Sequence, residues 1–138
     1  MEFVKQTRFH EDGSCYVKAR IMAPDATGDT ARDGEGYALK RADLSSISLS
    51  VYDINDGGST LISGPTSVTV SSAIVDALVT TAALWGVDAY GYNFAYTLPP
   101  ASFPTGGNKY RAEFKFTTTG GAVGWLKIEG EADKVYTS

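Results

Sequence analysis

The sequence predicts an all-β protein: one antiparallel β-sandwich of about seven strands with a single short helix. Three observations lead there. Apolar and polar residues alternate strictly over several short runs, the pattern of strands with one buried and one wet face. Gly, Pro, Asn, Asp and Ser separate these runs, and the chain of 138 residues holds 15 Gly and 5 Pro. A hydrophobic content of 43% suffices for a core, and the length fits one domain, 1–138.

The elements follow in order. Phe3 to Phe9 precedes "HEDGS", which carries an Asp-Gly turn signal. Met1 to His10 is therefore either the first strand of a hairpin or an N-terminal arm. In Cys15 to Ile21, Cys15, Val17, Ala19 and Ile21 oppose Tyr16, Lys18 and Arg20. Pro24 to Asp43 is polar, charged and aperiodic, and reads as a long loop. Loops longer than about 12–15 residues in compact domains are usually functional or disordered. Ser45 to Tyr52 is the clearest strand, with Ile47, Leu49 and Val51 on its apolar side. "DINDGG" turns the chain, and "STLIS" and "SVTV" are short strands. In Ser72 to Leu84 the spacing of Ile74, Leu78, Val79, Ala82 and Trp85 approximates a helix, with Ser71 or Ser72 to cap it. Tyr90 to Leu98 is a strand, and Phe103 in the following loop is expected to tuck inward. Lys109 to Thr117 sets Tyr110, Ala112, Phe114 and Phe116 against Arg111, Glu113 and Lys115. Val123 to Glu129 sets Trp125, Lys127 and Glu129 against Gly124, Leu126 and Ile128, and "KVYTS" offers a terminal edge strand.

Composition narrows the function classes. A net charge of −4 with both signs interspersed argues against nucleic acid, which needs a basic face. Cys15, the single cysteine, excludes an intrachain disulfide and points to a reducing compartment. The N-terminus lacks the pattern of a secretory signal. The most apolar window, Ala73 to Val87, is too short and too interrupted to span a bilayer, so no membrane partner is expected.

Catalytic motifs are wanting. His10 and Cys15 lie at an odd offset, which in an extended segment puts them on opposite faces. No phosphate loop, nucleophile elbow or His-rich cluster occurs, and no spacing singles out a pair of carboxylates. We expect no enzyme and no cofactor. "DINDGG" resembles a calcium loop only in part. Position 5 is Gly57 and position 12 is Gly64, where that motif needs oxygen ligands. A tight turn explains the stretch.

"DAYGYNFAYTLPP" poses the main question. Tyr90, Tyr92, Phe94, Tyr96 and Leu98 would line one face of a strand. That face is either a stacking platform or half of a core. Tyr110, Phe114 and Phe116 form a second ladder on the next strand, and two such ladders cover each other. Core is therefore the expected role of Phe94, Tyr96, Phe114 and Phe116. A carbohydrate-binding or host-adhesion module is the alternative, with Tyr52, Tyr90, Tyr92 and Trp125 as its stacking residues.

The stretch from Ala42 to Gly121 has "ISLSVYD", the Val-Ser stretch before the expected helix, "GYNFAYTLP" and "YRAEFKFT". It resembles small immunoglobulin-like structural proteins of tailed bacteriophages and prophages. More loosely, it resembles the N-terminal domain of phage baseplate upper proteins. The resemblance implies an immunoglobulin-like sandwich and a non-enzymatic virion subunit of the neck, tail or capsid surface. Such a subunit is assembled in the host cytoplasm and contacts other virion proteins and copies of itself. The reaching elements would be the arm, through Phe3 and Phe9, and the long loop, through Arg32, Tyr37, Leu39, Lys40 and Arg41.

Overall fold

The computed structural model describes residues 2–9, 14–22, 38–81, 84–88, 91–99, 102–103 and 107–131. Eight strands form two four-stranded antiparallel sheets. In chain order they are β1 (Glu2–Phe9), β2 (Cys15–Met22), β3 (Leu44–Asp53), β4 (Thr60–Val68), β5 (Ile74–Val79), β6 (Tyr92–Leu98), β7 (Lys109–Thr118) and β8 (Val123–Glu131). One sheet runs β1-β2-β6-β5 and the other β4-β3-β7-β8. Lettered A to G with one added C′ strand, these orders are A-B-E-D and C′-C-F-G, the arrangement of an immunoglobulin-like sandwich.

Alternation decides which side chains meet between the sheets. Cys15, Val17, Ala19 and Ile21 of β2 are fully buried there. Ile47, Leu49 and Val51 of β3 face Ala112, Phe114 and Phe116 of β7, and Leu126 and Ile128 of β8 complete the layer. The sheets are joined by aromatic contacts. Phe94 of β6 stands edge-on to Phe114 and Phe116, each at 5.2 Å between ring centroids, and Tyr96 does the same to Phe114 at 5.6 Å. Each ring buries about 150–250 Å² and gains from T-shaped geometry. The expected core role of these four residues is what the structure has, and Phe103 packs inward against Tyr110.

Three expectations are corrected and one open choice is resolved. The segment expected as a helix from Ser72 to Leu84 holds only one turn, α1 (Val70–Ala73), and then becomes β5. The β5–β6 pairing shifts register between Ile74 and Val79, which breaks the two-residue period. Apolar residues then fall at spacings that imitate a helix, while β-branched Ile74, Val75 and Val79 favour a strand. "STLIS" from Thr60 on and the first half of "SVTV" are one strand, β4, while Val70 opens α1, so the count of eight is reached differently from the expected seven. Of the two readings of the N-terminus, hairpin strand and free arm, the strand is the one the structure has. All eight residues of β1 pair with β2, from Glu2↔Met22 to Phe9↔Cys15. The end of the long loop is also domain structure. Ala38 bridges Met22, and Leu39 N–H donates to Ile21 O at 2.9 Å. Residues 23–37 and the "KVYTS" segment lie outside the described residues.

Candidate functional site

Two surfaces gather chemistry, one on the outer side of each sheet. The first is the outer face of β4-β3-β7-β8. Register places Trp125 beside Lys115 and Ser48, Lys127 beside Glu113 and Ser50, and Glu129 beside Arg111 and Tyr52. Trp125 is 47% exposed, and its neighbour two positions away on the same face, Val123, is equally open. The Lys115 ammonium lies 5.6 Å from the Trp125 ring. At the other end, the Arg111 guanidinium lies 5.1 Å from the Tyr52 ring. It donates to Glu113 Oε2 at 2.6 Å and to Ser59 Oγ at 3.1 Å. Four residues along the strands and two strands across separate Tyr52 from Trp125 by about 16 Å. They share a face but do not form one cluster.

The second surface is covered. A strap, residues 84–88, crosses the outer side of β1-β2-β6. Trp85 is 1% exposed and lies 5.7 Å from the Tyr92 ring. Lys18 Nζ donates to Leu84 O at 2.6 Å, with the Tyr16 and Tyr92 rings at 4.8 and 5.1 Å. Gln6 Oε1 accepts from Gly86 N–H at 2.8 Å. Asp88 Oδ1 accepts from Arg20 Nη1 at 2.8 Å, Trp85 Nε1 at 3.0 Å and Gly91 N–H at 3.3 Å. Burial lowers the pKa of Lys18. It raises that of Tyr92, with a further contribution from Tyr16. Lys18 is sealed at 8% exposure beneath the strap, and its bond to Leu84 O holds the strap down.

Asn93 explains how Tyr92 reaches that side. The β2–β6 ladder stops at Ala19↔Phe94. Beyond it Asn93 replaces main-chain pairing: Oδ1 accepts from Ile21 N–H at 2.7 Å, and Nδ2 donates to Ile21 O and Leu39 O at 3.0 and 2.7 Å. The alternation lapses there, and Tyr92 packs against Trp85 and Lys18 instead of joining the shared core. Asn93 itself is 1% exposed.

The expected contact residues scatter. Leu39, expected as an exposed anchor, belongs to the core because its backbone is tied to β2. Phe3 is half-buried and packs on Phe116 at 5.6 Å. Lys40 and Arg41 are exposed, and Arg41 Nε donates to Ile74 O at 2.7 Å. Tyr92, expected as a stacking residue in the alternative reading, is buried by the strap, while Tyr52 and Trp125 lie on an open face. Arg32, Tyr37, Tyr90 and the side chain of Phe9 lie outside the described residues. The "DINDGG" acid serves its own turn: Asp53 accepts from Asn55 N–H at 2.8 Å and from Asn108 Nδ2 at 3.1 Å.

Sequence reasoning missed Trp85, Lys18, Arg20, Asp88 and Asn93. Their hydrogen bonds span 54 to 72 positions or arise inside a turn, so no local period announces them. Among the described residues no three His, Cys, Asp or Glu side chains group as metal ligands, and no helix is long and apolar enough to cross a membrane. No family model matches the chain, and neither a curated protein nor a solved structure matches it.

Proposed function

We propose that the chain is a non-enzymatic, multi-copy structural subunit of a tailed-phage virion, acting by protein–protein contact at the neck, tail or capsid surface. The observation that carries this reading is the open face of β4-β3-β7-β8, with Trp125 and Val123 exposed beside Lys115 and Lys127. An exposed tryptophan is the residue type most often found at interface hot spots. Contact through a face also fits the edges. Lys5 Nζ donates to Lys127 O on β8 at 2.7 Å, Arg41 bonds Ile74 O on β5, and Pro65 removes a donor from β4. Such devices blunt strand-to-strand addition at β4, β5 and β8, which supports the open face as the contact surface. The other virion proteins and further copies of the chain are its partners, and the host cytoplasm, where the lone thiol stays reduced, is its site of assembly.

The test uses particles purified from the strain that carries the gene. Quantitative mass spectrometry should find the chain at a fixed copy number per particle. Trp125→Ser should lose incorporation while the isolated domain keeps its fold. Purified particles without the chain overturn the reading.

Tyr52 and Trp125 on that same face favour one second reading, a carbohydrate-binding or host-adhesion module. Glycan-array binding that Trp125→Ala abolishes, with the chain absent from particles, would establish it instead.

A further inference from the structure

We propose that the Trp125 end of the open face binds an extended acidic segment of a partner protein. Its carboxylates meet Lys5, Lys115 and Lys127, and an apolar side chain meets Trp125 and Val123. This deepens the contact-face reading above by naming the partner's chemistry, and it rests on that reading for the face.

The first support is where three ammonium groups gather and what they touch. Register sets Lys115 directly across from Trp125, and Lys127 follows Trp125 on the same side of β8. Lys5 reaches over from β1, an edge strand of the other sheet, and its Nζ donates to Lys127 O at 2.7 Å. The contacts of these groups are neutral ones: an indole ring at 5.6 Å for Lys115, a main-chain carbonyl for Lys5. Among the described residues none of the three has an ion pair. Glu113, across from Lys127, is already engaged: Arg111 Nε donates to it at 2.6 Å, and its side chain is 12% exposed. Glu129, further along β8, lies across from Arg111. The whole chain carries a net charge of −4, so this cationic corner runs against the overall balance. Like charges gathered on a surface repel, and an anionic partner relieves that repulsion.

The second support is spacing. Lys115 and Lys127 are diagonal neighbours on adjacent strands, about 7–8 Å apart. In an extended segment, side chains two positions apart point the same way and are separated by about 6.6 Å. Two carboxylates so placed reach both lysines together. The next position on that side reaches Trp125 or Val123, each nearly half exposed. Across β3 and β4 from Lys115 lie Ser48 and Ser67, so Trp125 and Lys115 rise beside a floor of short side chains that admits a main chain. A glycan chain fits this end less well, because the face offers Trp125 alone and then Tyr52 about 16 Å away. Nucleic acid needs a basic face larger than one corner.

The test uses the intact chain and dye-labelled seven-residue peptides, with Glu at the second and fourth positions, Leu at the sixth and Thr elsewhere. A second peptide carries Gln for Glu. Fluorescence anisotropy reads binding. The Glu peptide should bind about tenfold tighter than the Gln peptide at about 50 mM salt, and the advantage should collapse at about 500 mM. Lys115→Gln and Lys127→Gln should each remove most of that advantage, and Lys5→Gln part of it. Lys109→Gln, about 20 Å along β7, should leave it intact. Circular dichroism verifies that each variant is folded, and Lys127→Glu, which should favour a Lys-bearing peptide over the Glu one, supplies a gain that loss of fold cannot mimic. Equal binding of the Glu and Gln peptides overturns the proposal, as does no binding of the Glu peptide at about 1 mM, or binding indifferent to Lys115 and Lys127. Polygalacturonate that binds through these lysines where the Glu peptide does not also overturns it, and moves the face to the carbohydrate reading. Failure with the peptides leaves the virion reading standing, since Trp125 can meet a neutral partner. Absence from particles leaves the acidic-segment proposal standing, since it is read on the isolated protein.

Discussion

At the scale of the residue, burial sets both packing energies and proton affinities. Cys15 is a fully buried thiol on the inner side of β2, and desolvation pushes its pKa from 9.0 to about 11. The folded state holds the proton when the unfolded chain has lost it. Stability from this source is complete below pH 9 and is lost as pH rises toward 11, by about 2–3 kcal/mol in total. The stability difference between wild type and Cys15→Ala should therefore shrink over that window, as read by urea unfolding at pH 8 and pH 10.5. An unchanged difference would mean that the thiol is not sealed. Phe114 and Arg111 test the two faces of β7. Phe114→Ala should cost about 3–5 kcal/mol, because it opens a cavity where three rings meet. Arg111→Ala should cost no more than about 1 kcal/mol, since its pair with Glu113 is partly solvated. Equal losses in chemical denaturation would place the wrong side inward. This much was legible in the sequence, because a two-residue period in a regular strand fixes which side chains are inside.

At the scale of the element, legibility ends where regularity does. β3, β7 and β8 keep one register along most of their length, and their alternation could be read directly. β5 shifts register, so its apolar residues imitate another structure. The strap could not be read at all, because its contacts join positions far apart in the chain. Gly91 shows the local constraint: its φ is +94°, and a Cβ there would strike the Val79 carbonyl oxygen. The pair between Arg20 of β2 and Asp88 of the strap has side chains 6% and 27% exposed. Replacing one member of a buried pair removes its attraction but leaves the other's desolvation cost. Asp88→Asn should accordingly cost about 2–3 kcal/mol, less than the full buried-pair penalty because Asp88 is partly wet. Adding Arg20→Met should recover a large part of that loss. A double-mutant cycle by denaturation checks this, and strict additivity of the two changes would show that the pair is not coupled.

At the scale of the whole molecule, the layers are a sandwich plus a strap over one outer face, and the question is whether they unfold together. The two sheets share one core through Phe94, Phe114 and Phe116, so neither has an apolar interior of its own. Sharing a core couples the sheets into a single cooperative unit. The strap is attached differently, by Trp85 and by polar bonds from β1, β2 and the turn at Gly91. Those bonds need the sheet beneath them, and the sheet needs the strap's Trp85 to cover the Tyr92 ring, apolar area that would otherwise face water. The dependence runs both ways, which argues for one transition rather than two. The two tryptophans make this measurable. Trp125→Phe leaves Trp85, buried under the strap, as the sole tryptophan, excited selectively at the red edge of the absorption band. Its emission should begin blue-shifted and move red at the same urea concentration at which far-ultraviolet circular dichroism reports loss of the sheets. A Trp85 transition at clearly lower urea would make the strap an independent, weakly held layer. Lys18, Tyr16 and Tyr92 would then be uncovered while the sandwich is still folded, and the mutual dependence argued from their contacts would be refuted.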